Sequence, residues 1–322
     1  MSVQSVSFVA GYKGFDKNFR CRGMQYEVGQ TYEVPEASLG RAGLHFCESP
    51  LDVFNYYPPD DSRFAEVVAE NPTAEKGEDS IRVTKKLTVK AELTLKEVIE
   101  AAIKFIWDRV EAIPEKCDRL EATWCNTGNI DTDTGDFSVA VNLGDCGAAT
   151  NTGHQSTALN GEEYGTATNT GYQGAAITTA DDCTAASSGE LSVAASLGDS
   201  STAAGTGIHS SAINVGGYGT ALNTGDYSTA TATGYRGVAL NTGELGIASV
   251  FERESVSIAL GRNGKAKAGL GSWIVLAEWE CHRLIAVKSA QVDGEIIKAD
   301  TFYILENGEF TEIEDSFNDD TL

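Results

Sequence analysis

From Gly135 to Leu270 the chain alternates small positions with β-branched or apolar ones, and the alternation restarts every nine residues. With Gly135 as position one, glycine returns there at Gly144, Gly153, Gly171, Gly189, Gly198, Gly207, Gly216, Gly225, Gly234, Gly243 and Gly261; Glu162, Ala180 and Glu252 interrupt the series. Position six is alanine in every unit from Ala140 to Ala266 except at Ser257, and includes Ala194, Ala221, Ala230 and Ala239. Position four is always Ser, Gly or Cys, and position eight is often Asn, as at Asn142, Asn151 and Asn223. The unit reads roughly G-D-x-S-T-A-x-N-T, fifteen times over. Nine residues are too few for a helical hairpin but suit one strand and one tight bend of a β-solenoid. Positions four to eight have the period of two that a strand requires. Glycine at position one is expected to supply the positive φ of the bend. All six prolines lie at or before Pro114, which suits a ladder that uses nearly every backbone N–H.

Positions four and six never hold a side chain larger than Cys. Size is restricted where packing is dense, so these positions are expected to face inward. Positions five and seven, with Val139, Val141, Leu159, Ile177, Leu222, Val238, Leu240, many threonines, Lys265 and Lys267, then face outward. Position seven alternates Val141, Thr150, Leu159, Thr168, Ile177, which predicts two units per coil, about seven coils and a rod of roughly 35 Å. Three units per triangular coil is the alternative.

The flanks are built differently. "SVSFVAGY", "QYEVGQTYEV", "RFAEVVAE" and "IRVTKKLTVKAEL" read as strands. In "TLKEVIEAAIKFIWDRVEAI", Leu95, Val98, Ile99, Ala102, Ile103, Ile106, Trp107 and Val110 form one helical stripe, and Thr94 with Glu97 makes a capping box. Beyond the repeat, "SWIVLAEW", "RLIAVKSAQVDG" and "DTFYILENGEFTEI" read as strands, with turns at Val292–Gly294 and Asn307–Gly308. Trp273, Trp279, Phe302 and Tyr303 are expected to plug the open end, followed by the acidic tail "EDSFNDDTL". The fold class is therefore mainly β: a small α+β head over residues 1–122, a nonapeptide β-solenoid over 126–270 and a β-rich cap over 271–322.

Composition narrows the function. The chain of 322 residues carries 24 Lys+Arg against 47 Asp+Glu, a formal charge of −23. Direct binding of nucleic acid, which needs cations to displace counterions, is not expected. The N-terminus does not read as a signal peptide, and no apolar run is long enough to span a membrane, so the expected location is the cytoplasm. Seven scattered cysteines without a C-x-x-C point to reduced thiols, and four separated histidines suggest no metal site. No cofactor is expected. In the head, "GLHFCESPLDVFNYY" places His45 near a strand end ahead of a short helix opened by Ser49–Pro50. If the head is an enzyme, the candidates are His45, Arg22, Tyr56 and Glu66, with Arg20 and Tyr57 beside them; otherwise His45 is a hydrogen-bonded structural residue.

Several resemblances follow from these motifs. "SVAVNLG", "SVAASLG" and "SVSIALGRNGKAKAGLGS" resemble the head repeats of trimeric surface adhesins, which implies a left-handed β-roll and self-association. The glycine–aspartate steps at Asp136, Asp145, Asp199 and Asp226 are similar to those of calcium-binding nonapeptide β-rolls, without the double glycine and the later Asp. Thr166–Thr168 and Thr229–Thr231 resemble threonine-rich ice-binding solenoids, without their regularity. Residues 10–112, through Gly14–Lys17, Cys21–Gly23, Gly43–Cys47 and Pro50–Pro59, resemble an uncharacterised domain of bacterial and phage hypothetical proteins, which implies a phage or prophage origin. The Gly-Leu-His-Phe strand faintly resembles that of ADP-ribosyltransferase-like folds, which would imply NAD. The expected function is a non-enzymatic scaffold. Its solenoid forms a homo-oligomer and presents the head to a host protein or small ligand. The alternatives are the NAD-using head, an acidic DNA mimic like the pentapeptide-repeat proteins, and a structural part of a virion.

Overall fold

The structure is a computed structural model that describes residues 6–77, 80–111, 122–125, 130–144 and 146–313. The side chains of Trp107 and Val110, residue Asp145 and the acidic tail over 314–322 lie outside the described residues. Two compact units divide between Arg109 and Val110.

The first unit is a six-stranded antiparallel sheet in the order β4-β8-β6-β1-β5-β7. Its strands are β1 (Phe8–Phe15), β4 (Thr31–Glu33), β5 (Leu44–Cys47), β6 (Arg63–Glu70), β7 (Ile81–Thr84) and β8 (Lys86–Leu93). Strands β2 (Arg20–Cys21) and β3 (Met24–Gln25) form a separate small hairpin. Alternation does the placing: Ala65, Val67 and Ala69 of β6 and Leu87 and Val89 of β8 are all buried. In β1, Gly11 and Gly14 let aromatic rings lie on the backbone, since a Cβ would come within 2.4 Å of the Phe46 ring and 2.5 Å of the Tyr57 ring respectively. Helix α1 (Leu95–Glu111) starts at the expected box, with the Thr94 N–H bonded to the Glu97 carboxylate at 2.7 Å and the Glu97 N–H to Thr94 Oγ1 at 3.3 Å. Val98, Ile99, Ala102 and Ile106 make its buried stripe.

In the second unit, four-residue parallel strands run from β9 (Ala122–Cys125) to β25 (Lys265–Ala268); from β10 (Ile130–Asp133) to β25 the parallel partners lie eighteen residues apart, and β9 pairs with β11 (Val139–Asn142) at seventeen. Two nonapeptides thus make one coil, and odd and even strands form two separate sheets. The small positions face inward: the position-six alanines are fully buried, from Ala140 through Ala194, Ala221, Ala230 and Ala239 to Ala266. A core of methyl groups buries little apolar area per residue, so polar contacts must carry much of the order. Position eight, which also points inward, supplies them. Asn223 is fully buried; its Oδ1 accepts the Gly225 N–H at 3.0 Å and its Nδ2 donates to the Ser210 carbonyl at 3.1 Å. Asn151, Asn169 and Asn241 repeat the first bond at 2.8 to 3.0 Å. Each buried amide thereby satisfies one turn and ties it to chain thirteen residues back.

The bends correct one sequence expectation. Position-one glycines do not adopt positive φ; position three does, in all fifteen units from Phe137 to Asn263, at φ of 50 to 59° and without a single glycine. Left-handed backbone costs a non-glycine residue about 1–2 kcal/mol. In return its N–H points along the solenoid axis: Leu191 N–H reaches the Ile208 carbonyl at 3.0 Å and Tyr227 N–H the Glu244 carbonyl at 2.8 Å, so the hydrogen-bond ladder continues through the turns. Glycine at position one has a steric reason instead. A Cβ on Gly153 would sit 1.9 Å from the Gly135 carbonyl oxygen of the neighbouring coil, and one on Gly225 or Gly234 would meet Gly207 O at 1.8 Å or Gly216 O at 2.0 Å.

The cap also differs from expectation. β26 (Trp273–Glu280) and β27 (Arg283–Gln291) form a hairpin that extends the even sheet, while β28 (Tyr303–Glu306) and β29 (Glu309–Glu312) extend the odd sheet. Phe302 and Tyr303 are buried, as are Ile274, Leu276, Val292, Ile297 and Leu305, which close the core. Trp273 and Trp279 are not plugs: they lie 44% and 36% exposed on the even sheet, because side chains at 273 and 279 alternate away from the buried 274 and 276. Asn307 and Gly308 form the expected positive-φ turn, and so do Cys281 and His282, which no glycine or asparagine had signalled.

Candidate functional site

Positions five and seven point outward on both sheets, but the sheets are not alike. On the odd sheet, Val141, Ile177, Ala195, Ile213 and Thr231 are fully buried within the chain. At its last unit the Lys265 and Lys267 ammonium groups lie 4.5 and 4.6 Å from the Phe302 ring, so these lysines do not mark a solvent face. On the even sheet the outward pairs from Ala148/Thr150 to Val256/Ile258 are all partly exposed, and Ile130 and Thr132 on its first strand are exposed. Its columns run from Thr166/Thr168 and Thr184/Ala186 through Thr220/Leu222 to Val238/Leu240 and Val256/Ile258, then Trp273/Val275. Threonine thus gives way to a contiguous apolar surface toward the cap. On β27, the last strand of the sheet, the partners of Trp273 and Val275 are the polar Gln291 and Ser289, while Leu284, Ile285 and Val287, opposite the far end of β26, are 47 to 50% exposed. A sheet face and an open edge of this kind form a docking surface.

The position-two carboxylates have local work. Asp136, Asp181, Asp199 and Asp226 each accept the N–H of the matching residue one coil on, at 2.7 to 2.9 Å. Among the described residues no group of three or more His, Cys, Asp or Glu is gathered as a metal ion would require.

In the head, His45 lies on β5. Its Nε2 accepts the Gly40 N–H at 3.1 Å, and it makes a backbone hydrogen bond with Gly43. Burial, then the charges of Arg22 and Lys13, lower its pKa to about 4, so the ring is neutral near pH 7 and organises the 38–43 loop. Arg22 sits at φ 48° just after β2, close enough to act on His45. Glu66 faces Tyr12 of β1, which in turn faces Cys47 of β5; the whole of β1 therefore separates Glu66 from His45. Tyr56 follows the 3₁₀ turn Leu51–Asn55, which Pro50 precedes as expected, and Tyr57 packs on Gly14. The structure brings Arg22 to His45 but sets Glu66 a strand away.

Sequence reasoning passed over Lys13. Charged in "AGYKGF", it falls in register with Gly11 and Phe15 on the inner face of β1 and is 5% exposed. Its Nζ donates to the His45 carbonyl at 2.9 Å and to Cys21 Sγ at 3.1 Å. The period-two pattern of β1 was the available signal.

Residues 9–101 match a domain of unknown function, DUF7666. The match falls on the segment whose motifs resemble an uncharacterised family and takes in every strand of the DUF7666 sheet apart from Phe8 at the head of β1. No curated protein and no solved structure matches the chain. No described helix is long and apolar enough to cross a membrane.

Proposed function

We propose that this protein is a non-enzymatic scaffold, encoded by a phage or prophage, whose solenoid self-associates and presents the DUF7666 domain to a host factor or small ligand. The observation that carries the self-association is the even sheet: its partly exposed columns turn apolar toward the cap, from Thr166/Thr168 to Val238/Leu240, Val256/Ile258 and Trp273/Val275, beside the apolar end of the β26–β27 hairpin. The odd sheet has its outward side chains already covered, which leaves one face for a partner. A second copy matches such a surface because a two-fold axis pairs like apolar columns. The resemblance of the head to domains of phage and bacterial proteins supports the origin, and the neutral, loop-bonded state of His45 supports a structural head. Size-exclusion chromatography with light scattering tests the reading. The parent chain is expected to run as an oligomer at micromolar concentration, and Leu240→Lys with Ile258→Lys to dissociate it. A strictly monomeric parent overturns the proposal.

A further inference from the structure

Lys13 is a buried cation with unusual company. Its ammonium contacts are Cys21 Sγ at 3.1 Å and the His45 carbonyl at 2.9 Å, with the Phe15 and Tyr26 rings 5.7 and 5.5 Å away. None of these is a carboxylate. A buried charge demands a counter-charge or loses its proton. The Cys21 thiol, itself 7% exposed, is the one ionisable side chain hydrogen-bonded to it among the described residues, with the Tyr26 phenol and Cys47 acting from farther off. The result is an amine and a sulfur held together away from bulk water, with the nitrogen anchored by a backbone carbonyl. Thiolates are the species that small oxidants attack.

We propose that Lys13 and Cys21 form an oxidative covalent cross-link, an Nζ–O–Sγ bridge made by peroxide. Starting from the neutral amine and the thiol, one N–H bond and the S–H bond break, and an N–O and an O–S bond form. Nitrogen and sulfur each give up two electrons, and two hydrogen peroxide molecules accept the four. One peroxide oxygen stays in the bridge, and the other three leave as three waters carrying the two displaced hydrogens. Retaining one oxygen lets the bridge span nearly the existing N···S separation, so the lysine stem moves little. The bridge fastens β1 to the β2–β3 hairpin and fixes Arg22 beside His45.

The test treats the full-length protein with hydrogen peroxide and maps its tryptic peptides by mass spectrometry. The expected result is one peptide pair joined through Lys13 and Cys21, heavier by one oxygen and lighter by two hydrogens, with trypsin no longer cutting after Lys13. Dithiothreitol should reverse it, and it should persist in Cys47→Ser. The exposed Cys146 and Cys281 report that the oxidant acted. Three results overturn the proposal: a Cys21–Cys47 disulfide, oxygen on Cys21 with Lys13 free, or oxidised Cys146 and Cys281 with Cys21 and Lys13 unchanged.

Discussion

Replacing Gly207 by alanine tests the central feature of the solenoid, the contact between coils at position one. A Cβ there would lie 1.9 Å from Gly189 O, 2.5 Å from Gly189 C and 3.1 Å from Glu190 N, all backbone atoms that cannot swing aside. Ordinary contact begins near 3.4 Å, so the coils must part by 3.4 − 1.9 = 1.5 Å. The flanking ladder bonds, Thr206 N–H to Ser187 O and Leu191 N–H to Ile208 O, are both 3.0 Å and do not survive that opening. Two lost bonds, each ending on an exposed residue, Thr206 or Ile208, cost about 1–3 kcal/mol together. For a unit of this size each kcal/mol lowers Tm by about 2–4 °C, so a fall of about 5 °C is expected. Gly217→Ala is the matched control: its Cβ would meet nothing nearer than Asp199 Oδ1 at 3.5 Å, and its φ is not positive. Removing a glycine alone should stabilise by about 0.4–1 kcal/mol. Thermal unfolding followed by circular dichroism reads both variants. If Gly207→Ala melts with the parent, or if both variants fall equally, close stacking at position one is not what holds the coils.

Ser200 is an exposed position-three residue at φ 54°, so Ser200→Gly should raise stability by about 0.5–1 kcal/mol in a denaturant titration, and a loss would refute the strain assigned to the turns. His45, with its pKa near 4 when folded against 6.5 when free, takes up a proton on unfolding between those values. Its contribution is therefore complete above about pH 6.5 and lost as the pH falls toward 4, worth about 1 kcal/mol once solvent screening of a half-buried ring is counted. His45→Gln should flatten that stretch of the stability–pH curve, whereas curves parallel to the parent's would show that the histidine is not linked to folding.

The repeat was legible because its constraint is local and periodic. Ala194 and Ala221 are small for a reason that recurs every nine residues, and the alternation at Val141, Thr150, Leu159 gives the coil its two units. What escaped depends on neighbours eighteen residues away. Glycine at position one is compatible with both a flexible bend and a close approach, and only the Gly135 carbonyl beside Gly153 distinguishes them. Trp273 and Trp279 were read by size, which ignores that the parity of β26 turns them outward. The outward columns of the two sheets have similar composition, yet the odd sheet's are largely buried and the even sheet's partly exposed, a difference that the nonapeptide pattern does not carry. Lys13 was hidden because a charged residue on a core position has no meaning until Cys21 and the His45 carbonyl stand next to it.

The pairing of alternate nonapeptides restricts how such a protein can change length. Adding or deleting eighteen residues leaves every later strand on the sheet it had before. Adding nine would move all of them to the opposite sheet, bringing side chains suited to concealment, such as Ile213, into the open and carrying Leu240 under cover. Drift in the number of units is therefore expected to proceed in even steps.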